Sequence, residues 1–290
     1  MTSPPAEFVG DGRQVDMDTP RGRLVGVRSG TADGPKLLAL HGWLDNAASF
    51  FPLQRELAGF DLVALDLPGH GASAHRAAGY DYVFVDWIHD VLDALDGLDW
   101  PQADLLGHSM GGAIATVVAC SAPQRVRKLA LIEALGPISG VADEAGPRLK
   151  LAVAARRALD TAKAPRVIAD IEAAVDARLA VSTMSRAAAR LIVERNLRAV
   201  TGGYAWRSDP RLTLPGHIRN DEAFIRSWIR TIEAPTLVIA ADPSPPYFTP
   251  EMREGRLAAL RDGRVAVIAG GHHLHMEQPE AVAEVLREFL

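Results

Sequence analysis

The stretch Asp104–Val118, DLLGHSMGGAIATVV, decides the fold of this chain. An apolar run of strand length ends at Gly107, Ser109 sits between His108 and Met110, and Gly111 and Gly112 lead into a segment of helical character. Residues 107–111 fit G-x-S-x-G, a pattern with a steric cause. A strand that turns abruptly into a helix lifts the serine hydroxyl out of the sheet in a strained backbone conformation. Side chains at the flanking positions would meet neighbouring backbone, so glycine stands there. The helix that follows aims its N-terminus at the serine, with free N–H groups and the positive end of its dipole suited to a developing negative charge. The pattern predicts a nucleophile at Ser109 rather than a glycine-rich turn carrying an idle hydroxyl.

Outward from the serine, short apolar runs alternate with amphipathic segments. RLVGVRSG (23–30), LLALHGW (37–43), LVALDLPGHG (62–71) and KLALIEALG (128–136) read as further strands, and YVFVDWIHDVLDALDGL (82–98) reads as a helix. Alternation of this kind predicts an α/β domain with a mostly parallel central sheet and helices on both faces. From Pro137 to Thr231 the pattern changes. LKLAVAARRALDTAK, VIADIEAAVDARLAV and SRAAARLIVERNLRAV have helical periodicity, and no strand is expected before TLVIAAD (236–242). TLVIAAD and RVAVIAGG (264–271) then resume as strands, with EMREGRLAAL and EAVAEVLREFL as helices. The expected organisation is a core domain of residues 1–136 and 232–290, with a helical cap of residues 137–231 inserted in it.

The bulk numbers agree with an ordinary globular protein. The chain has 290 residues, of which 48% are hydrophobic and 23% charged, enough for one large core. A net charge of −5 without a basic tract excludes nucleic acid as an expected partner. One cysteine, Cys120, cannot form an internal disulfide and fits a reducing compartment. The N-terminal MTSPPAEFVGDG lacks the pattern of a signal peptide, and no apolar run approaches the ~18–20 residues of a membrane span, so a soluble, cytoplasmic protein is expected.

Four motifs in order, LHGWLDN (40–46), DLPGHGAS (66–73), GHSMGG (107–112) and GGHHLHMEQPE (270–280), resemble the α/β-hydrolase superfamily over nearly the whole chain. HGWLDNAASF (41–50) and GGYAWRSDPRL (202–212) resemble its serine hydrolase-like proteins in particular. The resemblance implies an α/β-hydrolase fold and a Ser-acid-His order of catalytic residues. It also implies the base. In the family this histidine follows a glycine, with Glu five positions on and Pro seven on, which here selects His272, before Glu277 and Pro279. His273 and His275 then read as structural or pocket-lining. A zinc site built on His272 and His275 is disfavoured, because no matching ligand cluster stands elsewhere in the sequence, and neither a metal nor a cofactor is expected.

The acid departs from the usual pattern. Most members carry it as G-x-x-D after the next-to-last strand, where this chain has TLVIAADPSPPYF (236–248). Aligning Ala241 with that glycine puts Ser244 at the acid position, with Asp242 two residues early. Glu133, near the end of the strand after the nucleophile, is the alternative, an arrangement known from certain haloalkane dehalogenases. Reach favours Glu133, and Asp242 stays open.

By the same resemblance, the backbone N–H groups of Trp43 and Met110 form the oxyanion hole, a type of donor whose removal costs ~3–4 kcal/mol. His41, His70 and Asp66 read as braces of the surrounding loops. Trp43, Met110, Leu135 and Ile138 at or near strand ends, and Tyr204 and Trp206 in the insertion, are the expected substrate-binding residues. Helical faces of the insertion could cover the site or form a homodimer face. The expected activity is cofactor-independent cleavage of a small-molecule ester or related acyl compound. Carbon–carbon bond hydrolysis or perhydrolysis with the same residues is an alternative. The unusual acid loop motivates a third reading, a non-catalytic ligand-binding protein on a hydrolase scaffold.

Overall fold

The structure, a computed structural model, describes residues 10–159 and 166–290. The N-terminal segment read above for a signal peptide and the end of LKLAVAARRALDTAK fall partly outside them. Strands β1 (Arg13–Thr19), β2 (Gly22–Gly30), β3 (Lys36–Leu40), β4 (Asp61–Asp66), β5 (Ala103–His108) and β6 (Val126–Ile132) precede the insertion; β9 (Thr236–Asp242) and β10 (Gly263–Ala269) follow it. They form one eight-stranded sheet in the order β1-β2-β4-β3-β5-β6-β9-β10. β1–β2 and β2–β4 pair antiparallel, and every later pairing is parallel. The mostly parallel sheet expected from the alternation is present, with β1 as an antiparallel edge that the sequence reading left out.

The central strands are apolar throughout because both faces are covered. Neighbouring residues of one strand enter different cores. Leu38, Leu40, Val63, Leu65, Leu105, Leu129, Leu131 and Val238 pack on one face with Trp87, Val91 and Leu95 of α2 (Trp87–Gly97) and Ile114 and Val118 of α3 (Met110–Ser121). Leu37, Ala39, Leu62, Ala64, Leu106, Ala130, Ile132 and Ile239 pack on the other with Phe51 and Leu53 of α1 (Phe51–Glu56) and Val282, Leu286 and Phe289 of α10 (Pro279–Phe289). Burying a side chain of this size contributes about 1.5–3 kcal/mol, so the two clusters dominate the stability of the sheet.

Between β6 and β9, which pair directly, the chain makes a long excursion. It carries α4 (Ala145–Ala158), α5 (Ile171–Leu179), α6 (Arg186–Asn196) and α7 (Glu222–Ile229). It also carries a hairpin, β7 (Leu197–Val200) with β8 (Gly203–Trp206), where a continuous helical segment was expected. The hairpin is a correction with a local cause. Gly202 and Gly203 adopt φ of 87° and 148°, so the chain reverses after α6 instead of extending it. α5, α6 and the hairpin share a small core of Ala174, Val175, Ala189, Val193 and Leu197. Ile225 and Ile229 of α7, which lie before the boundary expected at residue 231, belong instead to the larger core of the sheet. After β9 come α8 (Pro250–Leu257) and, past β10, the short α9 (Leu274–Glu277). Among the described residues no helix is long and apolar enough to cross a membrane.

Candidate active site

The C-terminal ends of the parallel strands and the loops that leave them gather the candidate residues at one edge of the sheet. Ser109 stands between β5 and α3 with φ 52° and ψ −115°, a region that non-glycine residues rarely enter. Its N–H donates to Ile132 O at 2.9 Å and its carbonyl accepts from Ala113 N–H at 3.0 Å, so both neighbouring elements hold the turn. The glycines around it have the steric reason expected. A Cβ on Gly107 would lie 2.5 Å from Gly112 Cα, and one on Gly111 would lie 2.0 Å from Leu40 O.

Glu133 follows β6 and, like Ser109 and Leu44, is a non-glycine residue with positive φ, here 57°. Its N–H donates to Ile239 O at 2.9 Å, and Oε1 accepts from Ala241 N–H at 2.6 Å. That leaves Oε2, 3.4 Å from His272 Nδ1, on a residue only 2% exposed. His272 lies in the turn between β10 and α9, and its carbonyl accepts a hydrogen bond from His108 Nε2 at 2.9 Å. The histidine loop is therefore docked on the residue before Ser109; among the described residues no hydrogen bond joins the Ser109 hydroxyl to the His272 ring. Asp242 closes β9 in regular strand pairing with Ala269, its carbonyl accepts from Gly270 N–H, and its exposed side chain has no ion pair among the described residues. Of the two carboxylates read from the sequence, the fold brings Glu133 to His272 and leaves Asp242 apart.

The loop after β3 forms the opposite wall. Among the described residues the N–H groups of Trp43 and Met110 have no hydrogen-bond acceptor, as expected of Met110 in the first turn of α3. Buried groups fix this loop. His41 Nδ1 donates to Gly42 O at 2.7 Å while Nε2 accepts from Leu67 N–H at 3.0 Å; His70 Nε2 accepts from Leu44 N–H at 3.3 Å. Both rings must be neutral to accept, and burial lowers both, taking His70 to about 3 with the neighbouring His41 adding to the shift. Asp66 accepts from the N–H groups of Ala47 and Ala72, each at 2.8 Å, and pairs with the buried Arg195 of α6. Burial alone would raise its carboxyl; Arg195 and the backbone donors hold it below the ordinary range. His41, His70 and Asp66 are braces, as read.

Four contacts tie residues between β6 and β9 to the site, three on the loop after β3 and one on α9. Arg178 of α5 pairs with Asp45 at 2.5 Å, Asn46 Nδ2 donates to Ile192 O at 2.8 Å, Trp43 Nε1 donates to Leu212 O at 2.9 Å, and Glu277 Oε1 accepts from Ser185 N–H at 2.8 Å. Asp45 also lies 3.5 Å from His273 Nε2 and 3.7 Å from His108 Nδ1. Burial opposes its charge, yet His273 and Arg178 keep it well below the usual carboxylate range. His275, against Phe50, has no partner on either ring nitrogen among the described residues, and burial with the neighbouring His273 lowers it to about 3. Among the described residues no histidine, cysteine and carboxylate group is arranged to hold a metal ion.

The expected pocket residues divide. Trp43, 53% exposed, and Ile138 present apolar surface. Met110 is half-buried against the larger core. Leu135 is fully buried in that core, with its carbonyl accepting from Arg256 Nη1 at 2.7 Å. Tyr204 and Trp206 pack on the insertion's own small core because β8 faces α5 and α6. Sequence reading missed Tyr247, whose hydroxyl lies 3.0 Å from His272 Nδ1, and the pair Asp45–Arg178. A tyrosine in the loop where an acid is usual, and an aspartate three residues past the loop glycine, were the available signals.

Comparison with known proteins gives three results. Residues 35–279 match the family described as alpha/beta hydrolase fold. The chain is 31% identical to a serine hydrolase-like protein of Dictyostelium discoideum over 88% of this chain and 74% of that protein, and 29% identical to one of Danio rerio over 94% and 87%. Among solved structures, a hypothetical protein of Pseudomonas aeruginosa PAO1 superposes with a TM-score of 0.88 at 42% identity, covering 95% of this chain and 98% of that one.

Proposed function

This chain belongs to the alpha/beta-hydrolase superfamily, and on that premise we propose that it is a serine hydrolase cleaving a small-molecule ester or related acyl bond through an acyl-enzyme. One observation carries the reading: a buried carboxylate faces Nδ1 of a histidine whose loop is docked beside a serine held at a strained strand–helix corner.

With Nδ1 turned to Glu133, the nitrogen left for proton transfer is Nε2. In the proposed reaction His272 Nε2 takes the Ser109 proton as Oγ bonds to the substrate carbonyl carbon. The carbonyl oxygen takes up the electron pair as an oxyanion, held by the N–H groups of Trp43 and Met110. Collapse of that intermediate breaks the bond to the leaving group, which receives the proton from His272. Water then repeats the sequence on the acyl-enzyme and frees the acid. Glu133 orients His272 and favours the imidazolium that forms at each step. The names of the serine hydrolase-like relatives support the class. Residues 137–231 are proposed to form a cap over this edge of the sheet, supported by the pairs Arg178–Asp45 and Arg195–Asp66, which tie α5 and α6 to the loops around the site.

The test is covalent labelling by a fluorophosphonate, which reports an activated serine without knowledge of the substrate. The wild type is expected to label and Ser109→Ala to lose all labelling. Absence of labelling in the wild type, or equal labelling of both, refutes the proposal.

A further inference from the structure

His272 Nδ1 has two oxygen neighbours but can carry only one hydrogen or one lone pair. Glu133 Oε2 lies at 3.4 Å and Tyr247 Oη is nearer, at 3.0 Å. The tyrosine ring stands edge-on to the imidazole, with centroids 5.6 Å apart and an interplanar angle of 89°. Tyr247 comes from the loop after β9, and that loop is built to hold it. Phe248 beside it is buried in the larger core and donates its N–H to Pro245 O at 3.0 Å, and Arg253 Nη1 donates to Ser244 Oγ at 3.2 Å. The phenol keeps its proton, since burial and the nearby Glu133 push it up to about 12.

Two proton arrangements are available. In one, the Tyr247 hydroxyl donates to a bare Nδ1; the ring proton then sits on Nε2, where it blocks proton transfer from Ser109. In the other, Nδ1–H is shared between Glu133 Oε2 and Tyr247 Oη, both accepting, and Nε2 is left open. A carboxylate oxygen beside a bare nitrogen lone pair is repulsive, whereas a carboxylate beside N–H is a charge-assisted bond. The second arrangement is therefore favoured. Resting on the serine-hydrolase reading above, we propose that Tyr247 is a positioning residue. Its hydroxyl accepts the second branch of the His272 Nδ1–H bond, fixing the ring and its tautomer from the loop after β9.

The groups facing His272 are Glu133 from the end of β6, His108 from the end of β5 at 4.7 Å between rings, Tyr247, and His273 at 5.2 Å in its own loop. Only Tyr247 changes in the variant Tyr247→Phe, which keeps the ring. Loss of an acceptor from the imidazolium lowers its pKa. The rate of fluorophosphonate labelling of Tyr247→Phe is expected to fall roughly fivefold to twentyfold, with the acid limb of its pH profile moved down by about half a unit. Tyr247→Leu is expected to behave like Tyr247→Phe. A labelling rate and acid limb equal to wild type, a faster rate, or loss confined to Tyr247→Leu overturns the proposal. If the wild type does not label, the hydrolase reading fails by itself and Tyr247 is judged by 15N NMR of His272, assigned with His272→Gln. Nδ1–H in the wild type at pH 8, passing to a tautomer mixture in Tyr247→Phe, upholds the positioning role; Nε2–H in the wild type overturns it.

Discussion

Strands β6 and β9 pair side by side in the sheet, and each has an acidic residue at its C-terminal end. They have diverged in use. Past β6 the backbone enters the left-handed region at Glu133, which turns the carboxylate inward, buries it, and supplies it with the Ala241 N–H. At β9 the backbone stays in regular pairing through Asp242, and the side chain faces solvent. The loop beyond β9, free of an acid, presents a phenol to the same histidine instead. An acidic residue at a strand end is thus no catalytic assignment in itself; the last φ of the strand decides whether the carboxylate is preorganised. The third strand-end carboxylate, Asp66 at the end of β4, makes the same point with another outcome, since it meets Arg195 rather than a histidine.

The most direct way to break the contrast is to exchange the acids. Glu133→Gln is expected to lower kcat/KM on a p-nitrophenyl ester by ~10³–10⁴, the scale seen when a triad acid is neutralised. A loss under tenfold would mean that Glu133 does not orient His272. Next in size is the arginine that distinguishes Asp66. Arg195→Met strands a buried carboxylate and is expected to cost about 3 kcal/mol or more in urea unfolding; an unchanged midpoint would show that the backbone donors alone satisfy Asp66.

An acid titration sharpens the comparison by separating loss of the site from loss of the fold. His70 and His275 are held near 3, and His108 is lowered mainly by burial and then by the adjacent histidines. The unfolded chain binds these protons near pH 6.5, the folded chain only far below it. Their stabilisation is therefore complete above pH 6.5 and declines as pH falls toward 3. Each contributes up to about 1.4 kcal/mol per pH unit in that window. Unfolding free energy measured at pH 8, 6 and 5 is expected to drop most steeply over the last interval, and a flat profile would contradict neutral burial. The smallest effect is expected at β9: Asp242→Asn should leave kcat/KM within about threefold, and a loss like that of Glu133→Gln would reverse the assignment of roles.

Most of the sheet was legible from periodicity, because strands buried on both faces leave unbroken apolar runs such as LLAL and TLVIAAD. The serine corner was legible because glycine at 107 and 111 answers a steric need that the sequence prints directly. The hairpin after α6 was not, since four-residue strands give no period and its glycines also fit a helix end. Tyr204 and Trp206 were read toward the site for want of any signal distinguishing a pocket aromatic from one that packs the insertion's own core.

By itself the sequence determined the alternation that makes the sheet, the serine at its sharpest turn and the histidine segment that belongs with it, all of which depend on residues close together in the chain. The choice of Glu133 over Asp242 as the neighbour of His272, the phenol at its Nδ1 and the arginine ties from the insertion were decided only in three dimensions. Each joins residues 25 to 139 positions apart. A side chain's direction at the end of a strand follows from one backbone angle and from the neighbours that satisfy its polar atoms, and neither is written in local sequence.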